Sequence, residues 1–378
     1  MPSLRLSVLD QAPISEGASA AEALRNTLDL ARHVDKLGYH RYWVAEHHGT
    51  PALACTSPEA LIGPIAESTS RLRVGSGGVM LPHYSPFKVA ETFSLLSGLF
   101  PGRIDLGLGR ASGTDPRTSF ALQRDRRAQA PDDFPAQLAE LLAYLDNDLP
   151  DEHPFAPQAA MLAALEKPEP WLLGSSAQSA IWAAQLGLPY AVADFINPRG
   201  APLAAIYRER FKPSAASLSA SSPGGLPLAA PRVMVAAWVL CAETDAEARR
   251  LARSGKMLFQ LFHSGQLIRV PTVETAERFL ADQGVPGPGG GRRTIVGAPA
   301  TVREGLLQLA RDYGAEEAMV VTITHSHAAR RRSYELLGEA FELKQAAGSA
   351  ERRSLELLTQ HLGDDEDEDR PADASAEE

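Results

Sequence analysis

Cysteine is nearly absent from this chain. Cys55 and Cys241 are the only two, far apart and in no C-x-x-C pattern, which excludes a disulfide framework and a thiolate zinc site. No apolar run approaches the roughly 20 residues needed to span a bilayer. The first ten residues lack the apolar stretch of a signal peptide, so a cytoplasmic protein with no membrane partner is the expectation. Positive charge is not in excess either. The formal net charge is −10, and most of it lies in residues 364–378, nine acids against one arginine, which leaves the remainder close to neutral. A nucleic-acid partner needs a basic face and is not expected. No G-x-G-x-x-G follows the first apolar run, which argues against a dinucleotide fold, and no internal repeat of fixed period is present.

What the chain does have is alternation. Apolar, β-branched runs at residues 4–9, 41–46, 72–80, 104–108, 171–174, 190–195, 233–241 and 318–323 are separated by helical patterns. Alternation of this kind builds parallel βαβ units. Eight units in about 350 residues predict an α/β fold closed into a single (β/α)8 TIM barrel, with a doubly wound sheet as the competing architecture. The barrel domain is expected over residues 1–345. Residues 346–378 are expected to hold a helix end and a disordered acidic tail.

Helix starts are marked locally. Ser19 to Glu22 reads as a capping box before an apolar stripe that Gly38 stops. Ser57 precedes a proline at a first helical position. Thr244 to Glu247 opens a helix running towards His263. Two segments break the alternation, residues 212–231, rich in Ser, Ala, Pro and Gly, and residues 285–293, with four glycines. Both read as long loops, the second as a candidate lid.

In such a barrel the chemistry lies where strands end. The second strand ends in Glu46-His47-His48, the third contains Gly77-Gly78-Val79-Met80, and the fourth ends in Gly109-Arg110. The fifth ends in Gly174-Ser175-Ser176 with Ser179 one turn on, and the eighth in His325-Ser326-His327. Adjacent His47 and His48 point to opposite sides of an extended backbone, so at most one faces the mouth. Histidine there is an acid/base candidate, with a structural hydrogen bond as the plain alternative. The Gly174 to Ser179 stretch fits an anion at a helix start, with Arg110 adding a guanidinium. An ordinary serine cap would look the same. A metal site on His325 and His327 is disfavoured, since that spacing belongs on the first strand of metal-dependent barrels.

These motifs, in this order, resemble the bacterial luciferase-like flavin monooxygenases. Tyr42 to His48, Arg73 to Pro82, Gly102 to Arg110 and Trp171 to Gly187 carry the resemblance, which runs from about Leu4 to about Leu343. It implies a barrel that binds FMN, reduced by a separate flavin reductase, at the strand ends. With O2 the reduced flavin would form a hydroperoxide at ring carbon 4a that oxygenates a small-molecule substrate, and a dry pocket would protect that species. The resemblance places His47 near the reacting edge of the flavin and Arg110, Gly174, Ser175, Ser176 and Ser179 at its phosphate. It also places a cis peptide at Gly77–Gly78 beneath the ring, next to Met80. A homodimer is the expected form. The chain departs from luciferase at Gly109, where luciferase has a reactive cysteine, and at Ser175, where it has an acid; light emission is not implied. Two rivals stay open, hydride transfer with the deazaflavin F420 and a non-catalytic flavin-binding relative.

Overall fold

A computed structural model of the protein describes residues 4–110, 115–123, 126–127, 132–162, 165–213, 228–282 and 294–344. The expected lid at 285–293, most of the 212–231 loop and the acidic tail lie outside these. The strands are β1 (Arg5–Asp10), β2 (Arg41–Val44), β3 (Arg73–Met80), β4 (Ile104–Gly109), β5 (Glu169–Gly174), β6 (Tyr190–Ala193), β7 (Val233–Cys241), β8 (Thr294–Gly297) and β9 (Glu317–Val321). All pairings are parallel. β1 to β7 and β9 close on themselves through β6–β7, β7–β9 and β9–β1, so the predicted eight-stranded barrel is present.

One strand was not expected. The nine residues of β7 divide their pairing: Met234–Trp238 bond to β9 in the barrel, and Trp238–Cys241 bond to the four-residue β8. A run that short, emerging from a glycine-rich stretch, carries too little periodicity to read as a strand.

Strand parity sorts the side chains into two cores. One face of each strand packs outward on the helices, with Val8, Val44, Val74, Leu106 and Val235 in that cluster. The other face fills the barrel with Leu9, Trp43, Trp171, Met234, Trp238 and Met319. The helices form where their signals stand. Ser19 accepts from the Glu22 amide at the start of α1 (Ala20–Leu37), and Gly38 ends it at φ 91°, a left-handed conformation that glycine adopts without steric cost. α2 (Pro58–Glu67) starts at its proline, although Ser57 makes no side-chain cap. Thr244 caps α9 (Asp245–Leu251), but the helix predicted to run on to His263 breaks at Ala252 into a second helix, Arg253–His263, which is α10 here.

Below the apolar interior, where the strands begin, lies a layer of buried charge. Arg41 reaches Asp105 at 2.7 Å, Glu317 at 3.1 Å and Glu169 at 3.5 Å. Arg73 bonds Asp105 at 2.6 Å and Glu169 at 3.1 Å, and Arg232 bonds Glu169. Burial alone would raise the carboxyls of Asp105 and Glu317, but their partners together hold both below the usual range: Arg41, Arg73 and Trp43 at Asp105, and Arg41, His40, Ser7 and Arg5 at Glu317. Removing one partner of a buried ion pair strands the other in a dry interior. Arg41→Met is therefore expected to lower unfolding free energy by about 3–5 kcal/mol in urea titrations. Lys88→Met breaks an exposed pair with Glu91 and is expected to cost less than about 1 kcal/mol. Equal losses in the two variants would show that the buried layer holds nothing together.

Candidate functional site

The open end of the barrel is built on two unlike halves. On β3 and β4 the inward positions are Gly75, Gly77, Gly107 and Gly109. A Cβ on Gly77 would stand 2.5 Å from Leu9 Cδ1, and one on Gly107 would stand 2.1 Å from the Ser76 carbonyl and 2.9 Å from Leu173 Cδ1. The Met80 side chain lies 3.0 Å from where a Gly109 Cβ would be. Neighbouring side chains and backbone thus already occupy the space that a side chain at these positions would need. The Gly77–Gly78 peptide is cis, and strand register shifts there between Gly77 and Val79.

His47 and His48 follow the end of β2, past Trp43 and Ala45, which pack in the barrel interior, and His48 turns to Glu46. His47 Nδ1 is buried without a hydrogen-bond partner. Burial, with a smaller push from His48, lowers its pKa to about 4. The imidazole is consequently neutral at neutral pH, a proton acceptor or hydrogen-bond partner rather than a ready acid.

Glu46, which sequence reasoning passed over, organises the other side of this turn. Its carboxylate takes His48 Nε2 at 2.7 Å and the Met80 backbone N–H at 2.9 Å. It thereby ties the end of β2 to the end of β3 beside the glycine pair. Tyr84 also hydrogen-bonds Glu46, and burial together with that carboxylate holds its phenol well above the usual range. The only local signal for Glu46 was its place before the two histidines.

The serine corner stands at the start of α7 (Ala177–Gln185). Ser176 is its N-cap and forms a reciprocal capping box with Ser179. Ser179 is buried, and its hydroxyl already donates to the Ser176 carbonyl at 2.8 Å and lies 3.0 Å from the Tyr190 hydroxyl. It shapes the corner more than it faces it. A Cβ on Gly174 would fall 2.0 Å from Ser179 Oγ, so the capping box needs glycine there. The Ser175 carbonyl accepts from Asn197 Nδ2 at 3.1 Å. Arg110, past the end of β4, sits with its guanidinium 5.7 Å from the Trp182 ring centre on α7 and is half-exposed. Ser175 and Ser176 thus stand at the start of α7, while Arg110 lies against Trp182 further along the same helix; a helix start of this kind favours an anion.

His325 and His327 do not converge. His325 Nε2 meets the Glu16 carbonyl at 3.1 Å, and His327 Nε2 meets Asp29 at 2.8 Å. Among the described residues no helix is long and apolar enough to cross a membrane.

Residues 4–317 match the family model described as luciferase-like monooxygenase. The Bacillus subtilis protein YwcH, uncharacterised, is 45% identical over 350 residues, covering 89% of this chain and 98% of its own. The crystal structure of apo-MsnO8 aligns with a TM-score of 0.77 at 41% identity, over 91% of this chain and 99% of that one. The oxygenating constituent of 3,6-diketocamphane monooxygenase from Pseudomonas putida, solved in complex with FMN, aligns at 0.65 over 91% of this chain and 99% of its own. At 19% identity it supports the fold alone.

The depressed pKa of His47 has a consequence for stability. Between about pH 6.5 and about pH 4 the unfolded chain binds a proton that folded His47 does not, so this residue makes stability fall as pH drops through that window. His40, also lowered to about 4 by burial, acts in the same direction. His47→Gln is expected to flatten the decline between pH 6.5 and 4, measured as urea midpoints across pH. Parallel curves for variant and parent would mean that His47 is protonated normally in the fold.

Proposed function

Because the chain belongs to the luciferase-like monooxygenase family, we propose that it binds reduced FMN across the glycine-bare strands β3 and β4 and inserts one atom of O2 into a small organic substrate. The observation that carries the reading is the adjacency of two features that a flavin phosphate ester requires. One is a stretch bare of side chains at Gly77, Gly78, Gly107 and Gly109. The other, one strand further round, is an anion corner of Ser175 and Ser176 at the start of α7, with Arg110 against Trp182 further along that helix.

These residues fit the group. The cation and helix N–H groups suit a dianion, while side chains at the glycine positions would collide with neighbouring strands or fill the surface. When bound, reduced FMN supplies the two electrons that activate O2, with the second oxygen atom leaving as water. The chain's own part is positional. Arg110 and the α7 start hold the phosphate, with Gly174 and Ser179 fixing the shape of that start. Gly77, Gly78 and Met80 set the surface for the ring, and Glu46 holds Met80 by its backbone. Neutral His47 stands at the mouth as a hydrogen-bond partner able to accept a proton at Nδ1, the atom left unpaired. The apolar barrel interior keeps water from the reacting centre. A separate reductase delivering reduced flavin, and a homodimeric form, belong to the same proposal.

Two measurements test it. Arg110→Ala is expected to weaken FMN binding by about 1.5–3 kcal/mol, the range for a hydrogen bond to a charged group, while riboflavin, which lacks the phosphate, is hardly affected. Equal losses for both ligands would place the phosphate elsewhere. Turnover with reduced FMN under 18O2 is expected to put one labelled atom in the product. Turnover with reduced F420 and no label would favour the hydride-transfer rival instead.

A further inference from the structure

Trp238 stands on the inward face of β7, two positions beyond Ala236. In the eight-stranded ring β7 lies four strands from β3 in either direction, so Trp238 projects from the wall across the barrel from the glycine pair. Its side chain is 6% exposed. The ring packs edge-on to Phe195 at 5.6 Å and tilted on Phe259 of α10 at 4.5 Å, and it shares an apolar cluster with Leu258, Val321 and Ile323.

Its indole Nε1 is buried with no hydrogen-bond partner. The other two indoles inside the barrel are satisfied. Trp43 Nε1 donates to Asp105 at 2.8 Å and Trp171 Nε1 to Glu169 at 2.8 Å, both in the ionic layer. A buried N–H without an acceptor is costly, and such a group in a native fold calls for an explanation. Above the ionic layer, the described inward strand positions carry no Asp, Glu, Lys or Arg. A carboxylate or ammonium entering that space would lose its hydration and meet no opposite charge. An uncharged oxygen would lose little and gain the indole N–H.

We propose that Trp238 is a specificity-determining residue whose indole N–H binds the oxygen acceptor of an uncharged, mainly apolar substrate, held between the β7 wall and the glycine surface of β3 and β4. The proposal rests on the monooxygenase reading for what the substrate is for, but not for where it binds. Phe195 and Phe259 supply apolar contact, and the single donor fixes which end of the molecule points to the wall. A site built around one hydrogen bond discriminates strongly against molecules that cannot make it.

The test uses the full chain labelled with 15N at tryptophan, titrated with 2-octanone and, separately, with octanoate, each with and without FMN. Trp238→Phe identifies the Trp238 indole signal. The expected result is a downfield shift of that signal with 2-octanone, with little binding of octanoate. Trp238→Phe is expected to weaken 2-octanone binding about five- to tenfold, as the loss of one net hydrogen bond does, and to leave the Kd for FMN unchanged. An indole signal that ignores 2-octanone, equal binding of octanoate, or undiminished ketone binding in Trp238→Phe would each overturn the proposal. FMN failing to bind while the indole still responds would remove the flavin reading and leave the donor in place.

Discussion

Everything above depends on the charge layer at the base of the barrel. Three arginines, Arg41, Arg73 and Arg232, meet three carboxylates, Asp105, Glu169 and Glu317, where the strands begin. Charges this deep are tolerated only when they are paired and hydrogen-bonded. The pairing is dense: Ser7 donates to Glu317, Trp43 and Trp171 donate indole N–H groups, and the Arg41 and Arg232 guanidiniums each lie 4.8 Å from the Trp171 ring. This layer closes one end of the barrel and fixes the register of the strands whose starts it joins.

Much of this order was legible in the sequence, and what was missed was missed for physical reasons. β-branched runs separated by capped helices announce parallel strands, because each strand buried on both faces must be apolar throughout. The cis bond at Gly77–Gly78 came from family resemblance, since no spacing rule singles out one glycine pair from another. The ionic layer was invisible because each member sits at the beginning of its strand or just before it. A lone charge beside an apolar run looks like a solvent-facing flank, and only closure of the barrel gathers those separated charges into one dry ring. Glu46 shares that problem: its partners are a backbone N–H on another strand and a histidine two residues on.

The two halves of the mouth then divide the labour by what they lack. Above the ionic layer, β3 and β4 carry glycine at Gly75, Gly77, Gly107 and Gly109, the stretch on which the proposed function seats a planar group. The described inward positions of β7 above the ionic layer carry Met234, Ala236 and Trp238 and no charge, which is what the proposed selection for apolar bulk rests on. Neutral His47, on the strand next to the glycine surface, adds an acceptor without adding charge, since burial has lowered its pKa to about 4. Arg110, half-exposed past the end of β4, pairs with Asp132 at 3.9 Å. Its guanidinium also lies 5.7 Å from the ring of Trp182 on α7. On the proposed reading, separating the anion corner from the apolar barrel interior lets one end of a cofactor be held by charge while its other end lies in a medium of low polarity. That separation follows from β4 ending in Gly109-Arg110: one residue keeps the inward surface bare, and the next, turned the opposite way, carries the cation to the rim.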